Sequence, residues 1–451
     1  MRCLRLLPVL SIAIAAATAV PGLAQNSYDQ TNLVSNNPDF SPQIIDPNMT
    51  DAWGIALRPP GAGGHIWIAD AVGGTSVEYI GDVNGITLHQ DGLTTVPLDT
   101  PAFTDHGYAF VTGQVYNSAS DFPNQPIEFA ISGPANNLSS GTPVPISGGT
   151  SGSAKFVFVT EDGAISAWRS NTATAMPSAP VVIDYSKTGN FASAGYTANA
   201  VYTGVAMTQN AYTSPAYSSN GAGGTGNLLF AADSRNNAIQ VFDNQWHDVT
   251  SSFHFATPAD VGGLFPFNVM DLAGHIYVTY AEFNPDGDEG QEQIDGIGLG
   301  HLVEYDEKGA LVMDFKDHPN DPVNGLLNQP WGVAIAPSTF GIYSGDVLVA
   351  NFGGGTVSAF DPVTGEFVGN LKDRNGDDIS IDGLWGLTFG NGVSLGDASS
   401  LYFTAGPNSE QDGLFGKLTV APEPTSSCIA LLGGGGLIGL LRPRRINASR
   451  G

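Results

Sequence analysis

Between residues 328 and 369 the chain reads NQPWGVAIAPSTFGIYSGDVLVANFGGGTVSAFDPVTGEFVG, short apolar runs parted by Gly- and Pro-bearing turns. Trp331–Ala336, Asp346–Asn351 and Thr356–Phe360 are rich in Val, Leu, Ile and Phe and have the length of strands rather than helices. Phe352–Gly355 predicts a tight hairpin between the last two, and Glu366–Leu371 predicts a fourth strand. A single antiparallel meander of this size cannot bury both its faces, so it has to be one copy of several.

The copies are present. First strands are predicted at Trp53-Gly-Ile-Ala-Leu, Thr112-Gly-Gln-Val-Tyr, Thr203-Gly-Val-Ala-Met, Phe267-Asn-Val-Met, Trp331-Gly-Val-Ala-Ile and Trp385-Gly-Leu-Thr-Phe. Second strands follow at Ile66, Phe156, Leu228, Ile276, Val347 and Leu401, and third strands at Ser76–Ile80, Ala164–Trp168, Ala238–Asp243, His301–Asp306, Thr356–Asp361 and Leu414–Thr419. Loops of different length separate the units. Six meanders predict an all-β, six-bladed β-propeller, in which each blade buries its faces against its neighbours. The sixth unit shows only three strands, while Tyr28–Ser35 reads as a strand with no partner beside it. Placing Tyr28–Ser35 as the outer strand of the sixth blade closes the ring and removes a free edge. A solenoid or a sandwich leaves that strand unexplained.

Composition agrees with this picture. Gly 58 and Pro 29 supply turns, and a 42% hydrophobic content suffices for a large core. The two cysteines, Cys3 and Cys428, lie near the ends, so the body can hold neither a disulfide nor a thiolate metal site. Six of the 16 basic residues and one of the 43 acids also lie in the ends. The body keeps ten basic against 42 acidic residues, a net −32 compared with −27 for the whole chain. Such a field repels a phosphate backbone and excludes nucleic acid as a partner. It is compatible with an exported, solvated protein and with calcium.

The ends predict an address. Arg2 and Arg5, the apolar run Leu6–Val20 and Gly22-Leu23-Ala24 have the layout of a secretory signal peptide over residues 1–24. At the other end Pro422-Glu423-Pro424 precedes the uncharged, glycine-bearing run Thr425–Leu441 and the cluster Arg442, Arg444 and Arg445. That run is shorter than the roughly 20 residues of a permanent membrane span. The layout resembles the PEP-CTERM sorting signal. The resemblance implies recognition by an exosortase-type membrane protease, a transient inner-membrane contact through residues 422–451, and delivery to the surface or exterior of a Gram-negative bacterium. A plain C-terminal anchor is the simpler alternative.

The propeller body, 25–421, carries further resemblances. Its repeats are similar to NHL-type propeller blades. Asp51-Ala-Trp-Gly-Ile-Ala, Ile66-Trp-Ile-Ala-Asp, Thr160-Glu-Asp-Gly-Ala-Ile-Ser-Ala-Trp, Asn328-Gln-Pro-Trp-Gly-Val-Ala and Ile381-Asp-Gly-Leu-Trp-Gly together resemble an uncharacterised exported bacterial propeller family. Members of that family often carry the PEP-CTERM tail. The family brings no established activity.

Candidate chemistry is sparse. Trp53, Trp331 and Trp385 share one register, before the glycine of a first strand, and are expected near one end of the central channel. There they either pack around a crowded axis or form an aromatic platform for a sugar ring. Asp373, Asn375 and Asp377 match positions 1, 3 and 5 of a calcium loop, but the glycine of position 6 is missing and Leu384 stands where position 12 needs an acid. A partial surface calcium loop and an Asx turn both fit. The insert NPDGDEGQEQID, with Asp286, Asp288, Glu289 and Asp295, is the densest acidic cluster and is either a calcium loop or solvated chain. Asp70, Asp233 and Asn351 end second strands at one repeated position and are expected to bond the following turn. Gly392-Val-Ser-Leu-Gly lacks the helix of a nucleophile elbow, and Gly221-Ala-Gly-Gly-Thr-Gly opens no helix, so neither motif carries its usual chemistry. The eight histidines are scattered singly.

The expected function is a non-catalytic surface or matrix propeller that binds a glycan or a protein. The alternative is a metal-dependent hydrolase of the lactonase kind, whose carboxylates would have to converge in the channel.

Overall fold

The computed structural model describes residues 27–121, 127–132, 135–137, 143–144, 152–170, 174–187, 199–208, 226–256, 262–284, 292–316 and 326–422. Six antiparallel sheets follow one another along the chain as blades of a propeller. Their inner strands are Ala52–Ala56, Val111–Tyr116, Tyr202–Met207, Phe265–Leu272, Pro330–Ile335 and Leu384–Phe389, each built on one of the predicted first strands. Blade 5 is the meander from which the pattern was read. Pro330–Ile335, Val347–Asn351, Val357–Phe360 and Phe367–Asn370 pair in sequence order.

The ring closes as the unpartnered first strand predicts. Tyr28–Ser35 pairs antiparallel with Leu414–Val420, from Tyr28 opposite Val420 to Ser35 opposite Leu414. Tyr28 is fully buried, and its hydroxyl donates to Phe340 O at 3.0 Å, which ties blade 6 to blade 5. Two departures from the repeat appear. Ile44–Ile45 adds a short parallel strand outside Tyr28–Ser35. Blade 3 has three regular strands, and its outer edge is covered by a bridge between Phe242 and Asp248 and a bond from Val249 N to Val241 O.

Each inner strand breaks register at one equivalent place: at Trp53, Thr112, Thr203, Phe267, Trp331 and Trp385. The next residue is Gly54, Gly113, Gly204, Gly332 or Gly386, with Asn268 in blade 4. A β-bulge bends the strand and turns the local side chains, here toward the axis. The glycines then let neighbouring backbones meet. A Cβ on Gly332 would lie 2.5 Å from Trp385 O, and one on Gly386 would lie 2.9 Å from Trp53 O. Side chains cross the same seams. Thr112 Oγ1 donates to Tyr202 O at 2.7 Å, Asn268 Nδ2 to Trp331 O at 2.9 Å, and Thr404 Oγ1 to Trp53 O.

Candidate functional site

The bulges deliver the three predicted tryptophans to one point inside the channel. Trp53 stacks on Trp385 with ring centroids 3.7 Å apart, and Trp331 meets both edge-on at 6.2 and 6.1 Å. Phe352 stacks on the other side of Trp385 at 3.9 Å, and Phe267 packs against its edge. Trp53, Trp331 and Trp385 are at most 3% exposed, so they form a packed plug and offer no open face to a sugar. Aromatic pairs of this geometry each contribute about 0.5–1.5 kcal/mol beyond the area they bury. Trp331 Nε1 donates across the channel to Thr203 O at 2.9 Å.

On one side of the plug the channel opens as a cavity of about 1250 Å³, to which all six blades contribute. Trp331 lies in its lining, and Ile55, Val115, Val205, Met270 and Leu387 line its walls. Among the described lining residues Arg58 and Asp271 alone are charged. Gln114 in the cavity wall is held by the fold. Gln114 Oε1 accepts from Ser76 Oγ at 2.8 Å and its Nε2 donates to Gly54 O at 3.2 Å. Arg58 is half-buried, with its guanidinium over the Tyr116 ring at 5.4 Å from the centroid. Asp271 accepts from Gly274 N at 2.8 Å, and burial pushes its carboxyl up to about 6.

On the other side lie three carboxyl groups. Asp51 is fully buried, accepts from Trp53 Nε1 at 2.6 Å, and keeps Oδ1 without a hydrogen-bond partner. Burial raises it well above the usual carboxylate range, helped by Glu410 and Asp70 and opposed by the indole N–H groups of Trp53 and Trp385. Glu410 stands in a turn whose residues Asn408, Ser409 and Glu410 all have left-handed φ of 58, 56 and 61°. Three L-residues in that region cost roughly 1–2 kcal/mol each. Gly406 leaves room for both side chains: a Cβ there would lie 2.2 Å from Asp51 Oδ1 and 3.2 Å from Glu410 Cγ. Burial pushes Asp70 and Glu410 up to about 7.

The remaining predicted residues serve local structure where they are described. Asp70 Oδ1 accepts from Thr50 N, Thr50 Oγ1 and Gly73 N, bonding both the turn after its strand and the segment before the inner strand. Asp233 does the same for Val201 N and Asn236 N, and Asn351 for Asn328 N. Asp373 Oδ1 accepts from Asn375 N at 2.8 Å and Asp377 N at 3.0 Å, the bonds of an Asx turn. Asp295 accepts from Asn328 Nδ2 at 2.7 Å, beside a short ribbon of Phe283–Asn284 with Glu292–Gln293. Asp286, Asp288 and Glu289 lie outside the described residues, as do residues 1–24, Glu423, Pro424, Arg442, Arg444 and Arg445; Pro422 is the last residue described. No group of three or more His, Cys, Asp or Glu side chains that could hold a metal occurs among the described residues.

Sequence reasoning missed Arg58, Asp271 and Glu410. The available signal for Arg58 is its rarity: a basic residue at the end of an inner strand, before Pro59-Pro60, in a body with ten such residues.

No family model matches the chain. Its sequence is similar to uncharacterised proteins of Acanthamoeba polyphaga mimivirus. One is 31% identical over 164 residues, 36% of this chain and 29% of its own length. A second is 30% identical over 200 residues, 43% of this chain and 46% of its own. The chain thus spans less than half the length of the viral relatives it matches. Among solved structures it is similar to YCF48 bound to D1 peptide, with 11% identity, TM-score 0.38 and coverage of 89% of this chain and 100% of that one. It is also similar to the PQQ-bound aldose sugar dehydrogenase of Streptomyces coelicolor, with 12% identity, TM-score 0.40 and coverage of 88% and 99%. A streptogramin B lyase structure gives 10% identity, TM-score 0.35 and coverage of 87% and 97%.

Proposed function

We propose that this propeller is an exported binding protein that takes a small, largely apolar ligand into the half-channel above the tryptophan plug. One observation carries the reading: a cavity of about 1250 Å³ with predominantly aliphatic walls and a single pair of charged side chains. That volume and chemistry match what small-molecule sites require, an apolar lining with a few placed polar groups. Of the carboxylates a channel hydrolase would need, Asp271 is the one found among the described lining residues, and no observation favours that alternative.

The test is titration with the neutral fluorophore N-phenyl-1-naphthylamine. Wild type should bind about one molecule per chain, and Val115→Trp, which fills the wall, should bind at least tenfold more weakly. Equal binding by both proteins, or none by wild type, sinks the reading.

The address is proposed from the sequence. The signal-like stretch 1–24 and the Pro422-Glu423-Pro424 tail support export and sorting to the cell surface or exterior by an exosortase-type enzyme.

A further inference from the structure

We propose that Asp271 makes the half-channel selective for amphipathic monocations: molecules with one ammonium-type head and an apolar body. This rests on the half-channel being a ligand site, and it adds which ligands that site prefers and why.

The blade register singles Asp271 out. Four residues past each bulge the inner strands place Leu57, Tyr116, Met207, Asp271, Ile335 and Phe389, one residue per blade. Five of the six are aliphatic or aromatic, and all but Ile335 line the cavity. Blade 4 alone puts a carboxyl group at this level. A leucine fills the same level in blade 1, so the position itself does not demand a charge.

The carboxyl group has bonding capacity to spare. Its Oδ1 accepts from Gly274 N at 2.8 Å, within its own hairpin, while Oδ2 has no donor among the described residues. An ionised carboxylate can accept about four hydrogen bonds. Asp271 is half-buried, and among the described residues no lysine or arginine pairs with it. Arg58, the other charged residue of the lining, belongs to blade 1 across the ring, with its guanidinium over Tyr116. The titratable groups that act on Asp271 are His275 on the next strand, whose Nδ1 meets Glu304 Oε1, and Glu307, whose charge opposes ionisation.

Electrostatics then chooses the ligand. Burial lifts the carboxyl only to about 6, so at pH 8 it is a partly desolvated charge without a counter-ion. A cationic head offsets that cost, whereas an anionic head would set a second uncompensated charge beside it. The net −32 of the body acts in the same sense and draws cations to the cavity. Leu57, Met207 and Met270 in the same lining receive the apolar body. One carboxylate balances one charge, so a second cationic group would meet apolar wall.

The experiment compares decylammonium, decanol and decanoate, three probes of one chain length, by calorimetric titration at pH 8 below their aggregation limits. Wild type should bind decylammonium at least tenfold tighter than decanol, with decanoate weakest. Asp271→Asn, which keeps the shape and an acceptor for Gly274 N, should bring decylammonium within threefold of decanol. Asp99→Asn removes the same charge from an exposed position after the outer strand of blade 1 and should leave the preference intact, which separates the site from the general field. Should Asp271→Asn fail to fold, as judged by its melting curve, Asp271→Leu, with the residue that blade 1 carries there, gives the same test. Decanol within threefold of decylammonium in wild type, decanoate binding tightest, a preference that survives Asp271→Asn, or an equal loss in Asp99→Asn overturns the selectivity alone. If none of the three binds, the half-channel reading falls and takes this proposal with it.

Discussion

Replacing Glu78 by Gln should make the protein more stable, by an amount that grows with pH. Glu78 lies on the third strand of blade 1, directly opposite Trp67, and is 0% exposed. Neither of its carboxyl oxygens has a hydrogen-bond partner. Burial alone raises its carboxyl well above the ordinary 4.5. The fold therefore holds the proton that the unfolded chain releases. A state that binds more protons loses ground as pH rises, so this residue lowers stability steadily above pH 4.5 until it ionises in the fold. The slope for one group is about 1.4 kcal/mol per pH unit. Glutamine has nearly the same shape and no proton to lose, and every other buried carboxyl stays in place in the variant. Urea denaturation at pH 5, 6 and 7 should show the advantage of Glu78→Gln growing at each step, by up to about 1.4 kcal/mol per unit. Glu78→Met should add about 1–3 kcal/mol at all three pH values, because it also removes a buried polar group without a partner. A difference between Glu78→Gln and wild type that stays flat from pH 5 to 7 would refute the reasoning, since it would mean that the carboxylate is ionised and paired in the fold.

Three further outcomes are expected. Gly386→Val should destabilise the protein by more than about 3 kcal/mol, because its side chain meets Trp53 O and Thr404 Oγ1, whereas Val363→Ala on the open surface should change stability by under about 0.5 kcal/mol; similar thermal melts for the two would remove the seam argument. Asp373→Ala should lower the melting temperature equally in millimolar calcium and in chelator, since its carboxylate bonds the amides of its own loop; protection by calcium in wild type that the variant loses would favour the calcium-loop reading instead. Glu423→Ala should leave full-length protein in the inner membrane while the native protein appears outside without its tail, and recovery from outside of native protein still ending at Gly451 would disprove the sorting proposal.

The architecture was legible because a propeller repeats its signal. Each blade offers an apolar strand, a turn and a second apolar strand, and six weak readings reinforce one another. The closing strand was legible for the opposite reason, since Tyr28–Ser35 had no local partner and blade 6 lacked one. Ile44–Ile45 escaped notice because two residues carry no period, and its partner is parallel. The site was less legible. The shared register of Trp53, Trp331 and Trp385 was visible, but the bulge at each of them was not, and a bulge changes which face the neighbouring side chains take. Burial, rather than sequence, separates a packed plug from an open platform. Arg58 and Asp271 carry no motif at all; opposition across a ring is a property of closure, which no local pattern encodes.

The closing blade also fixes how the protein responds to load. Tyr28 and Val420 face each other at one end of an antiparallel pair, and Ala421 N bonds back to Ser27 O at 2.8 Å. A pull on the segment after Ala421 enters at that end, where the ladder opens one bond at a time like a zip instead of shearing as a whole. The neighbouring strand stays in place while this happens, because its first residue is bolted to the ring. Here that is Tyr28, whose N donates to Lys372 O at 2.8 Å and whose hydroxyl holds Phe340 O, both in or beside blade 5. In a body tethered through its C-terminal end the load would first meet the Val420 end of Leu414–Val420, where that strand is flanked by Tyr28–Ser35 and Leu401–Ala405, and its lifetime under tension would be a kinetic quantity set by how that end peels, while its equilibrium stability is spread over six blades.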